Sequence, residues 1–268
     1  MPPDLDISIS TMPPSPASVT AIYRYPVKGL SPEPMSRVPL RAGATLPADR
    51  IYALENGPSG FDPAAPAFFP KTRFLMLMRN ERLARLATRL DVDTHRLTVS
   101  ETGRLVAEGD LRSAAGRAAI EDFFARYCAD EVNGPVKVLT SPGHSFSDLA
   151  SKVVSIINLA SVAAIAERIG APVNPLRFRG NVYVEGWPAW HEFDLVDREI
   201  TLGTARLKIV RRIRRCAATN VDPQTGLRDL AIPATLLEAF GHGDCGIYGK
   251  VIADGAVSIG DKVVEADN

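Results

Sequence analysis

The sequence predicts an α+β, β-rich fold: an N-terminal β-barrel-like domain carrying helices, followed by a second β-barrel domain. Three observations lead there. Short runs rich in β-branched and aromatic residues recur along the chain between Gly- and Pro-rich turns, the pattern of antiparallel strands in barrels. Few stretches carry helical spacing of apolar residues. The 268 residues suffice for one large or two smaller cores, and Asn133-Gly134-Pro135 breaks the pattern near the middle.

Residues 1–17 hold proline and serine with no basic head or apolar block, and are expected as a mobile tail rather than a signal peptide. The first domain is expected over residues 18–134. Val19–Tyr23 reads as a strand ended by Tyr25-Pro26-Val27-Lys28-Gly29, and Ser36–Leu40 and Arg50–Leu54 as two more. Pro and Gly density makes Asn56–Pro70 a loop. Leu75–Met78 reads as a strand. Leu83, Leu86, Ala87 and Leu90 form one apolar stripe, which predicts a helix over Glu81–Leu90. Leu97 and Val99 run into Glu101-Thr102-Gly103, with Leu105 and Ala107 returning, which predicts a hairpin. Arg112–Tyr127 is the longest helix, burying Ile120, Phe123, Phe124 and Tyr127, with Cys128 packed at its end.

The second domain is expected over residues 135–265. It begins with a strand at Val136–Leu139 and a loop at Ser141–Asp148. Next come a strand at Val153–Ile157 and a helix at Val162–Ile169, with Ser161 as N-cap and Gly170 as stop. The exposed N–H groups of such a helix start can hold a phosphate, though a plain capping serine is the simpler reading. Arg177-Phe178-Arg179-Gly180-Asn181 leads into a strand at Val182–Val184; its two arginines suit a bidentate phosphate clamp or, equally, surface charge. A hairpin over Glu199–Leu202 and Ala205–Ile213, a helix over Pro233–Phe240 and strands at Ile247–Ile252, Ala256–Ile259 and Lys262–Val264 complete the chain.

The stretch from Arg206 to Gly226 carries the chemistry. Ala205, Leu207, Ile209 and Ile213 alternate with Arg206, Lys208, Arg212 and Arg214, which places Cys216 on the basic face. Arg211, Arg212, Arg214 and Arg215 crowd before it, so its thiolate is expected to be favoured and its pKa to fall below about 8.5. Asp222, Pro223 and Gly226 mark the turn that follows. A free cysteine is more often a packing residue, and a basic run more often a solvated face. Together they suit a soft metal ligand beside an anionic organic cofactor.

Composition narrows the classes further. An apolar fraction of 46% and a charged fraction of 23% are those of an ordinary soluble protein. The formal net charge is zero, so positive charge is local; this favours a small anionic ligand and argues against nucleic acid. Three cysteines without paired spacing exclude a disulfide framework and fit a reducing, cytoplasmic setting. No apolar run approaches the roughly 18 residues of a membrane span. The four histidines lack zinc spacing. Gly241–Gly246 matches G-x-G-x-x-G only in letters, because it follows a helix and precedes a strand. His191-Glu192-Phe193-Asp194 reads first as a solvated turn.

Taken in order, Tyr25-Pro26-Val27-Lys28, Asp49-Arg50, Phe178-Arg179-Gly180-Asn181, Arg215-Cys216 with Thr219, Val221–Gly226 and Gly246-Ile247-Tyr248 resemble the pattern of the MOSC domain family. From about Val19 to Val264 the chain is similar to the mitochondrial amidoxime-reducing components and their bacterial relatives, in which an N-terminal β-barrel domain precedes the MOSC domain. The resemblance implies a molybdenum cofactor, a pterin dithiolene with a phosphate tail. It implies Cys216 as the metal ligand, and Lys28, Arg50, Ser161, Arg179, Asn181, Arg215 and Thr219 as cofactor contacts. Asp222 or Glu192 would assist proton delivery at the Cys216 centre. The implied activity is reduction of N-hydroxylated or N-/S-oxide small molecules. An external electron-transfer protein or reductase would feed it, since too few cysteines remain for an iron–sulfur cluster.

Two alternatives share the same sulfur. One is a persulfide carrier of the molybdenum cofactor sulfurase type, whose pyridoxal-phosphate domain is not found in these 268 residues. The other is a cofactor-binding protein without turnover. The chain departs from the family pattern at Arg214, where serine is usual, at Asn220, where a second threonine is usual, and around Glu192. There Phe193 and Leu195 interrupt an acidic pair for which Asp194 is the available substitute. These departures touch the substrate side more than the metal side.

Overall fold

The computed structural model describes residues 16–266, so the expected tail lies outside them except for Pro16 and Ala17. An eight-stranded sheet organises the molecule, built from β1 (Ser18–Arg24), β2 (Glu33–Met35), β9 (Val154–Asn158), β10 (Val182–Glu185), β11 (Glu199–Leu202), β12 (Ala205–Arg214), β13 (Asp244–Ala253) and β15 (Val263–Glu265). Their spatial order is β15-β11-β12-β13-β9-β10-β1-β2. Only β9 and β10 run parallel, and parallel neighbours need a crossover, which α2 (Leu159–Ile169) supplies. The sheet closes on itself: Val19 N donates to Asp261 O at 2.9 Å, Gly260 N to Val19 O at 2.8 Å and Val263 N to Ala17 O at 2.8 Å. Inside this barrel Val19, Ile22, Ile156, Val184, Leu207, Ile209, Ile247 and Val251 form the core. Each fully buried side chain of this size contributes about 1.5–3 kcal/mol.

A second core lies in the first half. It joins the three-stranded sheet β5-β6-β7 (Leu86–Leu90, Arg96–Glu101, Arg104–Asp110) to α1 (Ala114–Tyr127) and to the pair β4-β8 (Ala53–Asn56, Val136–Leu139). Leu54, Leu83, Leu97, Val99, Ile120, Phe124 and Cys128 fill it. Ser113 caps α1 by accepting from Gly116 N at 2.9 Å. Gly116 must be glycine here, because a Cβ would stand 2.2 Å from Asp110 O. The strands ignore the sequence break at residues 133–135: β1 pairs with β10, β4 with β8, and β3 (Arg37–Leu40) with β14 (Gly255–Ser258). The fold is thus β-rich α+β as expected, with α3 (Ile232–Phe240) and α2 packed together on the barrel's outer face.

Four local expectations are corrected. Glu81–Leu90 is a 3-10 turn over Glu81–Arg85 followed by β5, not a helix. Leu86 and Leu90 are four apart, which suits a helical stripe and a period of two alike; pairing of Leu90 with Leu97 on β6 decides for the strand. Leu75–Met78 is a turn, because the buried Asn80 accepts from Met76 N and donates its own N–H to Met76 O. The strand expected over Arg50–Leu54 starts at Ala53. Helix α2 is capped by Asn158, whose side chain accepts from Ala160 N, and not by Ser161.

Candidate functional site

β12 leaves the barrel at Arg214, and register shifts at Ile209/Arg211 and Arg212/Arg214 break the strict alternation just before it does. Cys216 then precedes a 3-10 turn over Ala217–Asn220; its carbonyl accepts from Thr219 N at 3.0 Å and Thr219 Oγ1 at 2.9 Å. The thiol is half-buried and faces a cleft between the two halves of the chain. Lys28, Arg50, Lys71, Arg177, Arg179, Arg214 and Arg215 line this cleft against only two carboxylates, Asp49 and Asp148. Its empty space, counted to the open mouth, is about 930 Å³.

The deep end is built around Tyr25, whose ring carries the Arg179 guanidinium at 4.3 Å and the Arg50 guanidinium at 4.9 Å. Both arginines hold the left-handed backbone region, at φ 50° and φ 54°, which non-glycine residues enter at a cost and which concentrates at functional sites. Buried Asp49 fixes the arrangement. Its Oδ1 accepts from Tyr25 N at 2.8 Å and Asn181 Nδ2 at 3.1 Å, and its Oδ2 pairs with Arg50. Asn181 spends its whole amide on this frame, accepting from Ser155 and donating to Tyr23 O and Asp49. Gly180 lets the strand entrance approach β9: a Cβ there would meet Ile157 Cγ1 at 2.3 Å.

Lys28 lies on the same wall, almost fully buried, donating to Phe146 O at 2.9 Å and to Asp148. Burial pushes its pKa down, with Asp148 working against that. The Asp148 carboxyl is held far below its usual range: burial pushes it up, but the Lys28 and Lys71 ammonium groups and Arg50 outweigh that. Lys71 comes from the end of the Asn56–Pro70 loop and stands beside the Cys216 sulfur. Burial disfavours its charge, yet Asp148 and Cys216 hold its pKa above the ordinary lysine value. Arg215 is anchored by carbonyls, from Nε to Cys245 O at 2.7 Å and from Nη1 to Phe178 O at 2.8 Å.

The structure therefore brings together Lys28, Arg50, Arg179, Asn181, Arg215, Cys216 and Thr219. It does not bring Ser161, Glu192 or Asp222 to the cleft. Glu192 is wholly buried elsewhere, accepting from Asn158 Nδ2 and Ser161 Oγ, each at 2.8 Å, and from Gly246 N at 3.3 Å. Burial raises its pKa against those hydrogen bonds. Ser161 is its partner and also accepts from Trp190 N, so both are framework. Asp222 closes the turn: its Oδ1 accepts from Gln224 N and Thr225 N, and its Oδ2 pairs with Arg177 at 3.0 Å. Burial pushes its carboxyl up, but those amides and Arg177 hold it below its usual range. Of the four expected arginines, Arg214 and Arg215 line the cleft; Arg211 is exposed elsewhere, and Arg212 stacks on the Phe193 ring at 4.3 Å. Sequence reasoning missed Lys71 and Asp148 as site residues; Arg177, named there as a phosphate clamp or surface charge, lines the cleft.

The cleft fits an anionic cofactor. Arg177 Nε and Arg179 Nη2 are buried without a hydrogen-bond partner, an expensive condition that a phosphate or pterin acceptor would relieve. Among the described residues no cluster of three or more His, Cys, Asp or Glu side chains could hold a bare metal ion. No described helix is long and apolar enough to cross a membrane.

Comparison with known proteins identifies the family. Residues 16–134 match the MOSC N-terminal beta barrel domain and residues 141–264 match the MOSC domain. The chain is 32% identical over 124 residues to the mitochondrial amidoxime reducing component 2 of Bos taurus, covering 42% of this chain and 36% of that protein. It is 33% identical over 98 residues to the mitochondrial amidoxime-reducing component 1 of Homo sapiens, covering 35% and 28%. The matched stretches thus span about a third of these relatives' length. Among solved structures, the YUAD protein from Bacillus subtilis aligns over 94% of this chain and 97% of its own, with a TM-score of 0.45 and 15% identity.

Proposed function

Because the chain belongs to the MOSC family, with a MOSC N-terminal beta barrel domain ahead of the MOSC domain, we propose that it is a molybdenum-cofactor-dependent reductase of N-hydroxylated or N-/S-oxide compounds, supplied with electrons by an external donor protein. The family is associated with the molybdenum cofactor, and the proposal assigns this chain's residues to it. The observation that carries it is one half-buried thiol, Cys216, facing a cleft of seven cations and two carboxylates.

The Cys216 sulfur is the one protein ligand to the metal, a soft donor suited to a thiolate-bound centre. Lys28, Arg50 and Arg179, with the unpartnered Arg177 Nε, hold the phosphate and pterin. Thr219 holds the Cys216 carbonyl, and Arg215 ties the segment before the sulfur to the carbonyls of Phe178 and Cys245. When bound, the cofactor supplies the two-electron redox change. The residues of the cleft orient it, and Met76, Leu77 and Met78 offer an apolar wall to the substrate.

The test uses protein made in a cofactor-producing host. About one molybdenum per chain, lost on Cys216→Ala, together with reduction of benzamidoxime by a reduced viologen, is the expected result. Molybdenum without turnover would make the protein a cofactor carrier. A persulfide on Cys216 in the absence of molybdenum would make it a sulfur carrier, which the same accessible sulfur would also serve.

A further inference from the structure

The cations of the cleft divide into two sets. Lys28, Arg50 and Arg179 lie deep and are engaged with Asp148, Asp49 and the Tyr25 ring. Arg214 is different. It is exposed, lines the cleft mouth two residues before Cys216, and lies over Gly243, where an added Cβ would be 3.5 Å from its Cζ. Among the described residues its guanidinium makes no ion pair and no side-chain hydrogen bond, although Asp244 sits opposite it in the β12–β13 register. Lys71, from the other half of the chain, reaches a carboxylate only at 4.0 Å, and that carboxylate is already hydrogen-bonded to Lys28.

Resting on the reductase reading above, we propose that the substrate is itself an acid: an N-hydroxylated compound whose body carries a carboxylate, bound by the free fork of Arg214 with Lys71 beside the sulfur. A planar guanidinium with unengaged donors matches a carboxylate bidentately, and at the exposed mouth such a pair is salt-sensitive. The reaction is R–C(NH2)=NOH + 2 e⁻ + 2 H⁺ → R–C(NH2)=NH + H2O. The N–O bond breaks, nitrogen is reduced, oxygen leaves as water, and the electrons come from a reduced viologen in the assay.

The experiment compares 4-carboxybenzamidoxime with neutral benzamidoxime on the molybdenum-loaded protein. The ratio of their kcat/KM values is expected to favour the carboxylate by about tenfold, as one charge-assisted hydrogen-bonded pair allows. It should shrink toward one in Arg214→Gln, shrink less in Arg214→Lys, and fall with added salt. Molybdenum per chain should stay constant throughout. An unchanged ratio in Arg214→Gln, or a wild-type preference for the neutral compound, overturns the inference. Calorimetric binding of 4-carboxybenzamidoxime separates the two readings. Binding that depends on Arg214 without turnover of either compound sinks the reductase and supports the acid site. Turnover of both with no such dependence sinks the acid site alone.

Discussion

The Arg179 guanidinium lies over the Tyr25 ring, 4.3 Å from its centroid, while one of its nitrogens, Nη2, stays buried without a partner. Burial raises the phenol's pKa, with Arg179 and Arg50 pulling it back, so Tyr25 stays a neutral spacer between two guanidinium groups. Two cations held this close across one ring repel each other, and an anion beside them removes that cost. This pair is the part of the cleft on which the proposed anion binding most depends.

Arg179 sits at φ 50°, a region that costs a residue with a Cβ about 1 kcal/mol and glycine almost nothing. Arg179→Gly is therefore expected to be about 1 kcal/mol more stable than Arg179→Ala in urea denaturation. Both should carry less molybdenum than the parent. Full metal content in both variants would remove Arg179 from the cofactor cradle.

Asp49 is 3% exposed and compensates Arg50 while accepting from Tyr25 and Asn181. Asp49→Ala leaves a buried cation and two donors unpaired, a loss on the order of 3–5 kcal/mol. In a chain of this size that corresponds to a Tm drop of roughly 10 °C. A shift of only a degree or two would mean that Arg50 finds another partner on the cleft wall.

Glu192 gives a pH signature. Burial raises its folded pKa above the unfolded value. The native state then binds more protons than the unfolded state between those two values, so stability falls as pH rises through that window. Glu192→Gln, which cannot ionise, should flatten this decline when urea midpoints are compared between acid and neutral pH. Because Glu192 lies away from the cleft, benzamidoxime turnover per bound molybdenum should survive the change. A large loss of turnover per metal would return Glu192 to the chemistry.

The parts of the site that were legible in the sequence are local. Arg215-Cys216 and Arg179-Gly180-Asn181 sit at strand ends, where a few neighbours in sequence define the geometry. Lys71 was not legible: it follows a Pro-rich loop without periodicity, and only the tertiary fold carries it to Cys216. Ser161 was read as a phosphate-holding helix start and Glu192 as a proton donor in a solvated turn, yet they satisfy each other inside the framework. Leu86 and Leu90 failed for a different reason, since their spacing is common to both regular structures and hydrogen bonding to β6 decided between them.

The hydrogen bonds that tie Ala17 and Val19 to Asp261 and Val263 join the two ends of the sheet. The residues around the sulfur run from Lys28 to Tyr248, and among the described residues the ring that supports them is closed by the segment from Gly260 to Val263 that leads into β15. A chain lacking that segment leaves the ring open. On the proposed function, a chain truncated before Val263 is expected to carry less molybdenum than the full chain when both are made in a cofactor-producing host, and equal metal content would show that the cradle does not need this closure.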